Sequence, residues 1–255
     1  MAQTMFDLTG RLALVTGSSR GIGYAVAEGL AAAGAGIVVN SRNPDDVEAA
    51  RARLSDGGAK TYGRSFDVTD RHAVEAAVAA IENDVGPIDI LCNNAGIQRR
   101  APLVDFAADT WREIMAANLD SVFYVSQSVA RRMIPRGRGK IINICSLGSE
   151  RARETIAPYT ASKGAVKMLT KSMCVEWAKF GIQANGIGPG YFKTELNLPL
   201  QSNPQFDAWV RERTPAGRWG DVDELKGVAV FLASPASDFV NGQVIYVDGG
   251  FLSRM

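Results

Sequence analysis

The stretch Leu12-Ala13-Leu14-Val15-Thr16-Gly17-Ser18-Ser19-Arg20-Gly21-Ile22-Gly23 decides the fold. Four apolar residues, enough for a short strand, run directly into a turn that holds three glycines. Ile22–Ala33 then follows with helical period, rich in alanine and stopped by Gly34. A glycine turn at this junction lets backbone approach an anion closely. The helix that follows offers unpaired N–H groups and the positive end of its dipole. Gly17, Ser19, Arg20, Gly21, Ile22 and Gly23 are therefore candidate contacts to a pyrophosphate. The bland alternative is a tight strand-to-helix turn with no ligand, and the surrounding pattern separates the two.

Working outward, strand-length apolar runs alternate with helical stretches. The strands are expected at Leu12–Val15, Gly36–Val39, Thr61–Phe66, Ile88–Cys92, Lys140–Cys145, Ile182–Ile187 and Val244–Val247. Between them the helical period covers Asp45–Leu54, Val74–Asn83, Trp111–Met133, Tyr159–Phe180 and Leu225–Ala233. Such alternation argues an α/β fold: a doubly wound, mostly parallel seven-stranded sheet with helices on both faces, the Rossmann arrangement. One dinucleotide-binding and catalytic domain is expected over residues 1–255. Pro189–Pro215 has the weakest pattern, and a long irregular segment in a compact domain reads as a substrate loop.

The totals remove several function classes. The chain has 255 residues, 46% of them hydrophobic, and a net charge of +1. That balance gives no electrostatic footprint for nucleic acid. The densest basic stretch, Arg131–Lys140, reads as a helix end and a solvated turn. No apolar run reaches membrane-spanning length and no leader pattern opens the chain, so no membrane partner is expected. The three cysteines, Cys92, Cys145 and Cys174, form no C-x-x-C pair, which fits a reduced, cytoplasmic protein. With His72 as the single histidine, a catalytic zinc site of the usual ligands is not expected, so the metal expectation is none.

The end of the second strand, Val39-Asn40-Ser41-Arg42, bears on the choice of dinucleotide. An acid there would bind the ribose 2′-hydroxyl, whereas an arginine accommodates a 2′-phosphate. No carboxylate occurs before Asp45, Arg42 can fork onto a phosphate and Ser41 can donate to it. NADP is the expected cofactor, with NAD less favoured.

Tyr159 and Lys163 lie four apart at the start of a helix and so share a face. A free tyrosine titrates near 10. To act as a base near neutrality it must come down by roughly 2–3 pH units, at about 1.4 kcal/mol each. A lysine ammonium one turn away favours the phenolate. Ser146 ends the fifth strand, Asn93-Asn94-Ala95-Gly96 the fourth, and Pro189-Gly190 the sixth. All these groups fall at the carboxyl edge of the sheet, where open parallel sheets bind ligands.

T-G-x-x-x-G-I-G, N-N-A-G, Asn118, Ser146, Y-x-x-x-K and P-G together resemble the short-chain dehydrogenase/reductase family, from about Leu8 to Gly250. The resemblance implies a catalytic tetrad. Tyr159 would be the general acid/base, and Lys163 would lower its pKa and hold the nicotinamide ribose. Ser146 would hydrogen-bond the substrate oxygen, and Asn118 would hold a water in a proton relay. It also implies cofactor contacts at Asp67 and Val68 (adenine), at Asn94, Ala95, Gly96, Pro189 and Gly190, and at Thr194 (nicotinamide amide). Gly188 departs from the family, which often has Ala or Ser there. A homotetramer built through the two long helices and the last strand is implied as well.

Further stretches, above all Asn93–Arg100, resemble the sugar-acid dehydrogenases of that family, which interconvert gluconate and its 5-keto derivative. A sugar acid is a small-molecule substrate that needs a cation in its pocket, and Arg suits bidentate carboxylate binding. Arg99 and Arg100 are the candidates, beside Ser146 and Tyr159. Adjacent residues rarely face the same way, so one of the two is expected to point inward, with Arg100 slightly favoured. Glu150, Arg153, Tyr191 and Trp209 are further pocket candidates. Two alternatives stay open: another short-chain reductase, such as a 3-oxoacyl carrier-protein reductase or a different sugar-acid or polyol dehydrogenase, and a non-catalytic NADP-binding sensor or scaffold.

Overall fold

A computed structural model describes residues 5–254. The main sheet has strands β1 (Leu12–Val15), β2 (Gly36–Ser41), β3 (Thr61–Ser65), β4 (Ile90–Asn93), β5 (Gly139–Ile144), β6 (Ile182–Pro189) and β9 (Val244–Val247). Their order is β3-β2-β1-β4-β5-β6-β9, and every neighbouring pair is parallel. A separate two-stranded ribbon pairs β7 (Phe192–Lys193) with β8 (Gly220–Asp221).

The central strands β1 and β2 are apolar on both sides because both faces are covered. In β1, Ala13 and Val15 join one core while Leu12 and Leu14 join the other. In β2, Ile37 and Val39 oppose Val38 in the same way. The first core takes in residues of α1 (Gly21–Ala32), α2 (Pro44–Asp56) and α9 (Lys226–Ala233). The second takes in residues of α3 (Arg71–Asp84), α5 (Ser121–Arg136) and α6 (Ala157–Trp177). After β1 the chain winds outward to β3. It then crosses by α3 to the other face and returns to β4, beside β1. That reversal opens a crevice at the carboxyl ends of β1 and β4, where such sheets bind ligands.

Two expectations need correction. Trp111–Met133 is helical throughout but not a regular α-helix. α4 (Ala108–Met115) passes through a π-helical turn, Ala116–Asp120, before α5 begins. The insertion leaves the apolar period almost unbroken, so the sequence hides it, and it carries Asn118. The 189–215 segment is not irregular. It holds β7, a short α7 (Leu198–Gln201) and α8 (Pro204–Arg213). Asn203 starts α8 by accepting the Phe206 N–H at 3.1 Å, with Pro204 at the first helical position.

Among the described residues, no helix is long and apolar enough to cross a membrane. The basic Arg131–Lys140 stretch is paired with acids: Arg131 and Arg132 with Glu75, Arg136 with Glu82, Arg138 with Asp89, and Lys140 with Asp238. The three cysteines are free thiols, and burial pushes Cys92 up to about 12.

Candidate active site

A cavity of about 1070 Å³ runs along the carboxyl ends of β1 to β6. The glycine turn forms part of its wall. A Cβ on Gly23 would lie 2.4 Å from the Gly17 carbonyl oxygen, so the start of α1 can pack on the turn only without a side chain. At Gly21 a Cβ would meet nothing within 4 Å, and the residue faces the cavity. The N-terminus of α1 has no side-chain cap and no acid in its first turn. Its first N–H groups take no bond from a capping side chain, the arrangement that suits a helix N-terminus to an anion.

The turn is held from below by two asparagines and a threonine. Asn94 donates from Nδ2 to the carbonyls of Thr16 (3.0 Å) and Gly17 (2.9 Å). Thr16 Oγ1 accepts the N–H groups of Asn94 and Ala95. Asn94 was expected as a cofactor contact. Its amide hydrogens serve the turn instead, although the residue still lines the cavity. Asn40 is buried, accepts the Gly17 N–H at 3.3 Å and donates to the carbonyls of Arg64 and Phe66. Sequence reasoning assigned Asn40 no role. The available signal was a polar residue at the end of an apolar strand.

Ser19, Arg20, Ile22, Ser41, Arg42, Asp67, Val68, Ala95, Gly96, Pro189, Gly190 and Thr194 all line the cavity. With Asn40 turned inward, no carboxylate stands at the end of β2. Arg42 is exposed and makes no ion pair among the described residues, while its carbonyl accepts the Ser65 hydroxyl at 2.8 Å. The Asp67 carboxylate accepts the Thr69 N–H and hydroxyl, both at 2.8 Å.

Ser146, Tyr159 and Lys163 meet where β5 and α6 approach. Ser146 Oγ accepts the Gly148 N–H at 3.0 Å, which leaves its own hydrogen free to donate. Tyr159, on the first turn of α6, is half-buried beside it. Burial raises its phenol, and a hydrogen bond with Ser146 pulls the other way without cancelling the rise. Lys163 is buried and donates from Nζ to the Ile144 carbonyl at 2.5 Å. Burial lowers its ammonium. The expectation that Lys163 brings the Tyr159 phenol down is therefore not met in this arrangement. The ammonium is turned to the end of β5 and lies 5.9 Å from the centre of the tyrosine ring.

Asn118 is completely buried in the π turn. Its Oδ1 accepts the Ile97 N–H at 2.7 Å, and its Nδ2 donates to the Ile97 carbonyl (3.0 Å) and to Ser162 Oγ (3.2 Å). Both amide hydrogens are thus committed to the protein. The side chain fixes the loop after β4 against α6, and any hold on a relay water would fall to other atoms. The π turn is what brings Asn118 to this place, in keeping with the frequency of π-bulges at functional sites.

The two adjacent arginines part company. Arg99 is exposed, pairs with Glu113 at 3.1 Å and does not line the cavity, which removes it as a substrate contact. Arg100 lines the cavity. Glu150 is also displaced: it faces Lys167 and accepts the Tyr246 hydroxyl at 2.7 Å, away from the cavity wall. The Tyr246 ring lies over Gly188, where a Cβ would come within 2.3 Å of it, so the departure to glycine makes room for that ring. Arg153, Tyr191 and Trp209 do line the cavity. An aromatic cluster of Tyr191, Phe206, Trp209, Trp219 and Phe251, with ring centres 5.4–6.3 Å apart, fastens α8 to the C-terminal segment. Phe206 and Phe251 were not anticipated, because Phe251 reaches Tyr191 and Trp209 only through the fold and Phe206 lies in the segment of weakest pattern. No group of three or more His, Cys, Asp or Glu side chains able to hold a metal occurs among the described residues.

The family model described as enoyl-(acyl carrier protein) reductase matches residues 17–252. The chain is 58% identical over 246 residues to gluconate 5-dehydrogenase of Gluconobacter oxydans, covering 96% of each. It is 53% identical over 248 residues to the 5-keto-D-gluconate 5-reductase of Escherichia coli, covering 97% of this chain and 98% of that one. Among solved structures, a gluconate 5-dehydrogenase from Burkholderia cenocepacia in complex with NADP and tartrate superposes with a TM-score of 0.97 at 59% identity. That match covers 98% of both chains.

Proposed function

The chain belongs to the short-chain dehydrogenase/reductase family, and from that premise we propose that it interconverts D-gluconate and 5-keto-D-gluconate with NADP(H). The observation that carries the substrate class is Arg100, a cation on the cavity wall with no ion-pair partner among the described residues. The names of two relatives at 58% and 53% identity, a gluconate 5-dehydrogenase and a 5-keto-D-gluconate 5-reductase, support the same reading. An acyl chain, as the family model's description would suggest, suits arginines on the wall poorly.

The cleft fits the dinucleotide on its own geometry: an open glycine turn, an uncapped helix start and a free cation at the end of β2. Gly17, Ser19, Arg20, Gly21, Ile22 and Gly23 would hold the pyrophosphate, and Ser41 and Arg42 the 2′-phosphate. Asp67 and Val68 would border the adenine; Ala95, Gly96, Pro189, Gly190, Thr194 and Lys163 the nicotinamide half. When bound, the cofactor supplies or takes up the hydride. In the reducing direction the Tyr159 hydroxyl gives its proton to the ketone oxygen, and the Ser146 hydroxyl donates a hydrogen bond to that same oxygen. Lys163, one turn along α6, holds positive charge behind the tyrosine. Asn118 sets the position of the loop after β4 and of α6, on which these groups stand.

Consumption of NADPH with 5-ketogluconate, followed by absorbance, tests the proposal. Arg100→Gln is expected to raise KM for the keto acid about 30-fold, within the range for losing a charged hydrogen bond, and to leave kcat nearly unchanged. Turnover of another ketone but not of 5-ketogluconate would remove the sugar-acid assignment and leave the reaction class standing.

The assembly is read as a homotetramer in the cytoplasm. Its support is the set of apolar side chains exposed on α5 and α6: Phe123, Met168 and Val175, the last 80% exposed. Light scattering is expected to give about four times the 27.3 kDa chain mass. A monomer at micromolar concentration would refute it.

A further inference from the structure

Arg100 does not face the cavity alone. Arg153, from the loop between β5 and α6, lines the same wall, and like Arg100 it has no ion-pair partner among the described residues. Burial lowers the Arg100 guanidinium from its ordinary value, and the like charge of Arg153 nearby pushes the same way. A shared anion would relieve that repulsion.

Arg153 is held for such a task rather than left to solvent. Its NH1 donates to the Tyr191 hydroxyl at 3.3 Å, and its guanidinium stands over the Phe206 ring, 4.8 Å from the centre. Tyr191 and Phe206 both belong to the segment after β6, and they pack against each other at 5.7 Å. The two arginine loops are also tied together. The Ala101 N–H, just after Arg100, donates to the Thr155 carbonyl, two residues after Arg153, at 3.1 Å. Thr155 has φ +68°, the one non-glycine residue with positive φ among those described. A β-branched residue there is strained, and such strain is kept where surrounding structure fixes a loop.

We propose that Arg153 is the second cation of a carboxylate clamp, closing with Arg100 on the acid group of the substrate and presented by Tyr191 and Phe206. The Tyr191 hydroxyl accepts from Arg153 and keeps its own hydrogen for a substrate oxygen. The clamp rests on the reading that the oxygen to be protonated lies at Tyr159, and it deepens the sugar-acid assignment. It makes a carboxylate the main source of binding, so that a ketose with hydroxyls alone is held weakly.

The test compares wild type, Arg153→Gln and Arg153→Lys with three readouts: KM and kcat for 5-ketogluconate, turnover of neutral D-fructose, and calorimetric binding of tartrate in the presence of NADP. Arg153→Gln is expected to raise KM for 5-ketogluconate about tenfold or more, and to weaken tartrate by a like factor. Its kcat and its NADPH affinity stay within about threefold of wild type, and its low rate with D-fructose is unchanged. Arg153→Lys keeps the charge over Phe206 but not the fork, so it recovers part of the loss. It also stands in should the glutamine variant not fold. An unchanged KM and tartrate affinity, or an equal loss on keto acid and neutral ketose, would overturn the clamp and leave Arg153 as packing for α8. Failure of wild type to reduce 5-ketogluconate would sink the substrate proposal alone, since tartrate binding still reports on Arg153.

Discussion

Tyr159→Phe is expected to lower kcat for ketone reduction by roughly 10³-fold, within the span general acid–base groups supply, with NADPH affinity changed less than about threefold. The ring keeps its place on the first turn of α6, and one oxygen is lost. In the proposed mechanism that oxygen is the proton source, and it lies beside the Ser146 hydroxyl. The pH dependence follows from the direction of the shift. Burial raises the phenol above its ordinary value near 10, so it is neutral and able to donate throughout the neutral range. Reduction should therefore vary little between pH 6 and 8. Oxidation needs the phenolate, so its rate should climb with pH across the same interval and beyond. Lys163 gives the opposite sign: burial lowers its ammonium, so its charge is lost sooner as pH rises. A Tyr159→Phe enzyme with more than a tenth of wild-type kcat would remove Tyr159 as the acid. An oxidation rate flat from pH 6 to 9 would show that the phenol is already ionised in the working enzyme.

What could be read from the chain before folding was what neighbouring residues determine together. The glycine turn is written in consecutive residues, though Asn40 and Asn94 hold it from outside, and the Tyr159–Lys163 pair spans one helical turn, so both were legible. Strand alternation placed Ser146 and Asn94 at the same sheet edge. Asn118 was placed by motif, but its work was not. Its partners Ile97 and Ser162 are 21 and 44 residues away, and the π turn that aims it leaves little trace in the apolar period. Arg99 and Arg100 could be ranked but not separated by type. The separation comes from Glu113, fourteen residues on, which takes Arg99 out to the surface. Least legible was the 189–215 segment. Its α8 has a local start signal in Asn203-Pro204, yet it is held by Trp219 and Phe251 from outside the segment. Lys163 shows the same limit. Spacing puts it near Tyr159, but the carbonyl of Ile144, nineteen residues back, decides where its ammonium points.

Arg42→Ala is expected to reduce kcat/KM with NADPH about 100-fold and to change it less than about threefold with NADH. The cause lies in how the end of β2 is built. Asn40, which occupies the last inward position of that strand, spends its amide on the Gly17 N–H and on the Arg64 and Phe66 carbonyls. Both of its amide hydrogens are used, so it has none to donate to a ribose oxygen. The next side chains outward are Ser41 and Arg42, and the carbonyl of Arg42 is fixed by Ser65. A 2′-phosphate would therefore meet a hydroxyl and a guanidinium with no competing acid. A 2′-hydroxyl would find no carboxylate to accept its hydrogen. A charge-assisted hydrogen bond contributes about 1.5–3 kcal/mol, and a forked pair of them covers the 100-fold loss. Arg20 lies across the cleft in the glycine turn, 3.9 Å from Glu195 and well exposed, so its pairing there is weak. Arg20→Ala should accordingly cost less than Arg42→Ala. Raised salt should weaken NADPH binding in wild type more than in Arg42→Ala, since part of the screened attraction is already gone. Equal losses with NADPH and NADH would mean that Arg42 supports the loop rather than the phosphate, and selectivity would have to come from Arg20 and Ser41.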